Sequence, residues 1–237
     1  SASLEPRLKL FLSPDWKGEG SVHGLKGGAR AFCLSRLAAL GERPILAIAP
    51  TQREAENLFS DLAFFLGEDG SPGPLKKRLH LFPSWEVLPF ERLSPHPDNV
   101  ATRLEGLYHL LESRWPIWVS TPAALFQRVI PKEVFKDSYL YLVAGQELRR
   151  EGLVEHLVGW GFQRVPLVEE RGDFSVRGAI VDLFPPAYSL PLRLEFDGDR
   201  LESIREFYPA TQRSQSSEQE LLVLPVREFS LGHNEEM

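Results

Sequence analysis

Pro44-Ile-Leu-Ala-Ile-Ala-Pro50, followed directly by Thr51-Gln-Arg-Glu54, restricts the possible folds more than any other stretch of the chain. A near-continuous apolar run between two prolines has strand length. An alternating run would expose one face, whereas this one predicts a strand covered on both faces, the habit of parallel sheets. The four residues that follow read as a capping box. Thr51 accepts from the helix start and Glu54 reaches back toward it. Ala55, Leu58, Phe59, Leu62, Phe65 and Leu66 then recur at helical spacing, and Gly67 with Gly70-Ser-Pro-Gly-Pro74 ends the helix.

The same rhythm extends over residues 1–130. Ser21–His23 is a candidate short strand. Arg30–Leu40 is expected helical, with Phe32, Leu34, Leu37 and Leu40 as its apolar positions. Leu79–Phe82 and Pro116–Ser120 read as strands, Asn99–Ser113 as a helix, and Thr121-Pro122 as a cap with a proline at the first helical position. Repeated strand–helix units imply an α/β domain built on a parallel sheet. Residues 131–213 change rhythm and predict a smaller α+β module. A helix near Gln146–Trp160 stops at Gly161. Strand patterns then cover Gln163–Glu169, Asp173–Arg177, Ala179–Phe184, Leu192–Asp197 and Arg200–Phe207, with Asp197-Gly-Asp199 as a hairpin turn. Residues 209–220 are polar and read as a linker. Leu221–Val226 opens an element within residues 214–237 that the chain barely completes, as expected of a piece of a longer protein.

Arg171-Gly-Asp-Phe-Ser-Val-Arg-Gly-Ala-Ile-Val-Asp-Leu-Phe-Pro185 has the most specific wording. With a period of two, Phe174 and Val176 share one strand face while Asp173, Ser175 and Arg177 share the other. An ordered charged face suits docking to another molecule. The charge balance weighs against broad electrostatic capture of nucleic acid. The net charge is −6. Residues 1–130 hold 15 basic and 14 acidic groups, residues 131–213 hold 11 and 14, and residues 214–237 hold 1 and 5, so no segment has the cationic excess that phosphate neutralisation needs. No apolar run approaches membrane-span length, and the lone Cys33 leaves no internal disulfide. We therefore expect a reducing cytoplasm.

Chemistry-bearing motifs are sparse. Gly24-Leu-Lys-Gly-Gly-Ala-Arg-Ala31 stands where a phosphate-binding loop would stand. A working loop needs glycine, lysine and a hydroxyl at its last positions, so that amides approach phosphate and the hydroxyl holds magnesium. Gly24 keeps the first glycine, but Ala29, Arg30 and Ala31 replace the other three. Two readings stand: a glycine-rich turn without a ligand, or a nucleotide site. The six histidines (23, 80, 96, 109, 156 and 233) show no metal-pair spacing and read as loop or surface residues, so no metal site is expected. No catalytic residue is expected either. Ser94-Pro-His-Pro-Asp98 reads as a stiff turn, Glu169-Glu170 and Asp197/Asp199 as solvated strand ends, and Lys76-Lys-Arg78 as a loop face. Trp85–His96 is read either as a loop packed on itself or as a partner-binding loop.

Three stretches carry a family resemblance: Phe82-Pro-Ser-Trp-Glu-Val-Leu-Pro-Phe90 with Ser94-Pro-His96, then Arg171–Pro185, then Leu192–Asp199 through Thr211-Gln-Arg213. Over most of residues 20–228 the chain resembles the N-terminal, UvrB-like region of the bacterial transcription-repair coupling factors, the Mfd family. The resemblance implies a P-loop-NTPase-like sheet domain with a degenerate phosphate loop over 1–130, similar to UvrB domain 1a. It implies a UvrB domain 2-like, UvrA-binding module over 131–213, and a linker with the start of a domain 1b-like return over 214–237. UvrA is the implied partner, contacted through Arg164, Arg171, Ser175 and Arg177, where Ser175 departs from the arginine of UvrB. The implied function is non-catalytic: recruiting nucleotide excision repair to stalled RNA polymerase and helping to keep the motor autoinhibited. RNA polymerase and DNA would meet other domains of the parent, and ATP with magnesium its C-terminal motor, with no cofactor in this chain. The alternative is a UvrB-type, ATP-dependent DNA-damage-processing subunit.

Overall fold

The structure is a computed structural model, and it describes residues 8, 11–13, 19–68, 75, 77–85 and 96–228. The chain divides into two compact units. The first comprises residues 1–72, 76–84 and 106–127, and the second 73–75, 85–105 and 128–237.

In the first unit three strands make a parallel sheet in the order β1–β3–β2: β1 is Ile45–Ile48, β2 Leu79–Phe82 and β3 Ile117–Ser120. Ile117 pairs with Ile45 on one side and with Leu79 on the other. Helices α1 (Ala29–Leu40) and α2 (Gln52–Leu66) pack on this sheet. The Thr51 hydroxyl accepts the Glu54 amide at 3.2 Å, as the capping signature requires. Gly67, with φ of 70°, closes α2 in the left-handed conformation that favours glycine. The α3 helix, Pro97–Glu112, starts two residues earlier than expected, and only its residues 106–112 belong to this unit. Thr121 and Pro122 open a single turn, α4 (Pro122–Leu125), as the sequence predicts.

Several expectations fail here. Residues 21–23 form no strand. The buried positions of α1 are Ala31, Cys33, Ser35 and Ala38, not the larger apolar set, and Phe32 is 42% exposed. Small side chains (Ala31, Ala38, Ala55, Ala63) dominate the core these elements share, so close backbone approach decides the buried face rather than side-chain size. The β1 strand lies at the edge of the sheet, with Leu46 52% and Ile48 55% exposed, whereas its apolar run predicts cover on both faces. The central β3 meets that description instead, buried at all four residues.

The second unit is built on a six-stranded sheet in the order β10–β9–β8–β7–β6–β5. These are β5 (Gln163–Arg164), β6 (Asp173–Arg177), β7 (Ile180–Leu183), β8 (Leu192–Asp197), β9 (Arg200–Phe207) and β10 (Ser214–Glu218). Neighbours run antiparallel except β5 beside β6. The β8–β9 hairpin turns at Gly198, whose φ is 58°, where Asp197-Gly-Asp199 predicts it. One sheet face and α6 (Arg150–Gly159) enclose the main core, including Leu153, Leu157, Phe174, Val181, Leu183, Leu194 and Ile204. A second ladder pairs β4 (Leu140–Val143) with β11 (Glu220–Val223), and the short α5 (Lys132–Lys136) precedes it. The Tyr188 hydroxyl accepts the Leu222 amide at 3.0 Å, and burial pushes this phenol well above its usual range.

The linker expectation for residues 209–220 is corrected: Ser214–Glu218 is the edge strand β10. The element from Leu221 is β11, with Leu221, Leu222 and Val223 fully buried. The predicted strand Gln163–Glu169 shortens to two residues, and β4 and α5 are elements the sequence reading lacked. The segment before Glu228 ends in a buried polar knot. The Arg103 guanidinium donates to both Glu228 oxygens, at 2.8 and 3.1 Å, and the Trp85 indole N–H donates to the same carboxylate at 2.9 Å. Arg103 and Glu228 expose 0% and 1% of their side chains.

Candidate docking site

The β5–β6 edge carries a concavity of about 350 Å³ lined by Arg164, Val165, Pro166, Ser175, Val176 and Arg177. Gly161, with φ of 86°, turns the chain out of α6 into β5, and Arg164 then lies in register with Phe174. Gly178, with φ of 60°, makes the turn between β6 and β7 and leaves Arg177 at the strand end. The structure thus brings together three of the four residues expected to meet a partner: Arg164, Ser175 and Arg177.

Their environments differ from the alternation pattern. Phe174 faces the core as expected, but Ser175 is also buried, at 2% exposure, and its hydroxyl donates to the Pro166 carbonyl at 3.3 Å. Ser175 is therefore a buried anchor under the concavity and not part of an exposed charged face, because the sheet's second face is itself covered here. Asp173 is turned inward to local work, its carboxylate accepting the amides of Glu169 (3.3 Å) and Glu170 (2.9 Å). Arg171 does not line the concavity. Its Nε donates to the Tyr188 carbonyl at 3.2 Å and a terminal nitrogen donates to Asp98 at 2.8 Å.

Opposite Ser175 in the ladder stands Asp182, and opposite Asp182 stands Arg193. Asp182 is 1% exposed. Arg193 grips it from two nitrogens, Nε to Oδ1 at 2.7 Å and a terminal nitrogen to Oδ2 at 2.9 Å, and Arg177 donates to the same Oδ2. A buried carboxylate is tolerated only when paired and hydrogen-bonded, and here two guanidiniums share one. The Asp182 hydrogen bonds hold Arg193 still more firmly protonated. The sequence reading missed Asp182 and Arg193. The available signal was the one charged residue inside the apolar run Ile180-Val-Asp-Leu-Phe184, on the alternation that also carries Ser175.

The residues at the phosphate-loop position make a glycine turn. Gly24 and Gly27 have φ of 80° and 52°, and Gly28 precedes the first helical residue, Ala29. Ala31 is fully buried in the core, so its side chain does not project toward a ligand. Arg30 is exposed and lines an apolar hollow with Val22, Leu25, Cys33 and Ile48.

Two histidines depart from the surface expectation. His80 and His109 are each 3% exposed, and their rings stack at 4.2 Å and 19°. Burial, and then the neighbouring His109, push His80 down to about 3. Residues 86–95, which hold most of the Trp85–His96 loop and the first two residues of Ser94–Asp98, lie outside the described residues, as does Lys76. Among the described residues no helix is long and apolar enough to cross a membrane.

Residues 140–229 match the family described as "UvrB interaction domain". The chain is 41% identical over 211 residues, 89% of its length, to the transcription-repair-coupling factor of Myxococcus xanthus. It is 31% identical over 225 residues, 94% of its length, to that of Escherichia coli, and 37% identical over 193 residues, 78% of its length, to that of Mycobacterium bovis. It spans 17%, 19% and 15% of those three relatives.

Proposed function

The chain belongs to the transcription-repair-coupling factor family, as a UvrB-like portion of it carrying a UvrB interaction domain, and on that premise we propose that it is a docking module for UvrA without catalysis of its own. Binding would recruit nucleotide excision repair to a stalled RNA polymerase in the cytoplasm. The observation that carries the reading is the concavity at the β5–β6 edge, inside the matched domain, with Arg164 and Arg177 on its walls. Guanidiniums present fixed forks of donors that fit carboxylates. Acidic side chains of UvrA are the complement, and charge pairing of this kind governs approach rate and specificity. Residues 131–213 act as the UvrA-binding module in this proposal. Residues 1–130 act as a P-loop-NTPase-like domain of UvrB 1a type, and the segment from residue 214 begins the return to it.

The same surface would help hold the parent's motor inactive until UvrA is needed, while RNA polymerase and DNA engage other parts of the parent. ATP and magnesium would serve that motor. The buried Ala31 and the exchanged Ala29 and Arg30 support a turn without nucleotide at Gly24–Ala31. The test is a titration of UvrA with the Arg164→Glu/Arg177→Glu variant. Reversing both cations is expected to weaken binding by at least a hundredfold, about 2.7 kcal/mol, and unchanged binding would overturn the site. A micromolar heat of Mg-ATP binding would instead favour the UvrB-type ATP-dependent subunit.

A further inference from the structure

We propose that Asp182 is a positioning residue that holds Arg177 ready for its partner, an inference that rests on the docking reading of the β5–β6 edge. Asp182 has two oxygens and receives three guanidinium nitrogens. Arg193 alone satisfies it from two nitrogens, one to each oxygen, and neutralises its charge. Arg193 is also held elsewhere, donating to the Gln212 carbonyl at 3.3 Å with its guanidinium 4.8 Å from the Phe207 ring centroid. Its side chain is 14% exposed. Arg177 shares Oδ2 from outside, with 47% of its side chain exposed. The next carboxylate on this face, Glu195, is engaged by Ser203 at 2.7 Å and lies 3.5 Å from Arg205.

Two guanidiniums on one carboxylate leave a net charge of +1 on the group. Arg193, with 14% of its side chain exposed against 47% for Arg177, has the smaller surface through which to meet an outside anion, so that charge is presented through Arg177. A free arginine has many rotamers to lose on docking. One already tethered at a terminal nitrogen loses fewer, and Arg177 lines the concavity together with Arg164. Asp182 thus contributes to binding through Arg177, while touching no partner itself.

A double-mutant cycle tests this, with affinity for UvrA measured for the unaltered chain, Asp182→Asn, Arg177→Ala and the double variant. Asp182→Asn is expected to weaken binding about tenfold when Arg177 is present, and less than twofold when residue 177 is alanine. Equal losses in both backgrounds would overturn the proposal, because a residue that merely supports the sheet would act regardless of Arg177. No loss beside an intact Arg177 would overturn it as well. Should Arg177→Ala alone leave binding unchanged, the docking reading itself falls, an outcome separate from the first two. Asp182→Asn leaves the part-buried Arg193 without this carboxylate, so Asp182→Asn/Arg193→Gln serves as the second variant. It removes both charges of the pair, and once melting confirms its fold it is expected to show the same tenfold loss.

Discussion

Ser175 lines the concavity from the middle of β6. Alternation places it on a charged face beside Arg177, yet at 2% exposure it lies under the concavity with its hydroxyl on Pro166. Ser175→Ala is therefore expected to cost less than about 1 kcal/mol of stability and to change UvrA affinity less than twofold, as denaturant titration and calorimetry would show. The reason is physical: a period of two assigns faces, but whether the second face is covered depends on strands elsewhere in the chain. His80 makes a different residue-scale prediction. Its folded-state value of about 3 lies below the 6.5 of an exposed histidine. The unfolded chain therefore takes up that proton first. Stability is fully present above about pH 6.5 and falls as the pH drops toward 3, by up to about 1.4 kcal/mol per unit. Urea unfolding at pH 6.5 and pH 5 should show this loss. The His80→Phe variant, which keeps a ring against His109, should lose less over the same interval.

At the scale of elements, local signals proved sufficient where the physics was local. The Thr51 cap, the Gly67 stop and the Gly198 hairpin all lie where the sequence places them. Thr51→Ala is expected to destabilise the chain by about 1 kcal/mol through the lost α2 cap, measurable by thermal or denaturant melting. The β4–β11 ladder was illegible because Leu140–Val143 pairs with Glu220–Val223 across most of the second unit. Polar β10 read as a linker because an edge strand of serine and glutamine buries little. The Arg103–Glu228–Trp85 knot is equally non-local. Glu228→Gln removes the buried carboxylate charge that Arg103 and Trp85 share, so a loss of about 3 kcal/mol is expected. Arg103→Met/Glu228→Leu, which removes both charges, should restore part of it. Equal stability of the single and double variants would contradict this account.

For the whole molecule, the mixed α/β character was legible, because strand–helix alternation and hairpin signals are properties of short segments. The site was legible in part. Arg164, Ser175 and Arg177 gather at one concavity, while Arg171 is committed to Tyr188 and Asp98. Asp182 and Arg193 emerged with the folded sheet, because the register that aligns them joins three strands. The proposal assigns partner recognition to the second unit and leaves the first without nucleotide chemistry, so Mg-ATP is expected to leave the melting temperature of the chain unchanged. The most direct test is the affinity of UvrA for three proteins: the unaltered chain, Arg164→Glu/Arg177→Glu, and a control with Arg53→Glu on the exposed side of α2. The account predicts a loss of at least a hundredfold for the double variant and less than twofold for the control. Equal affinities for all three proteins would contradict it.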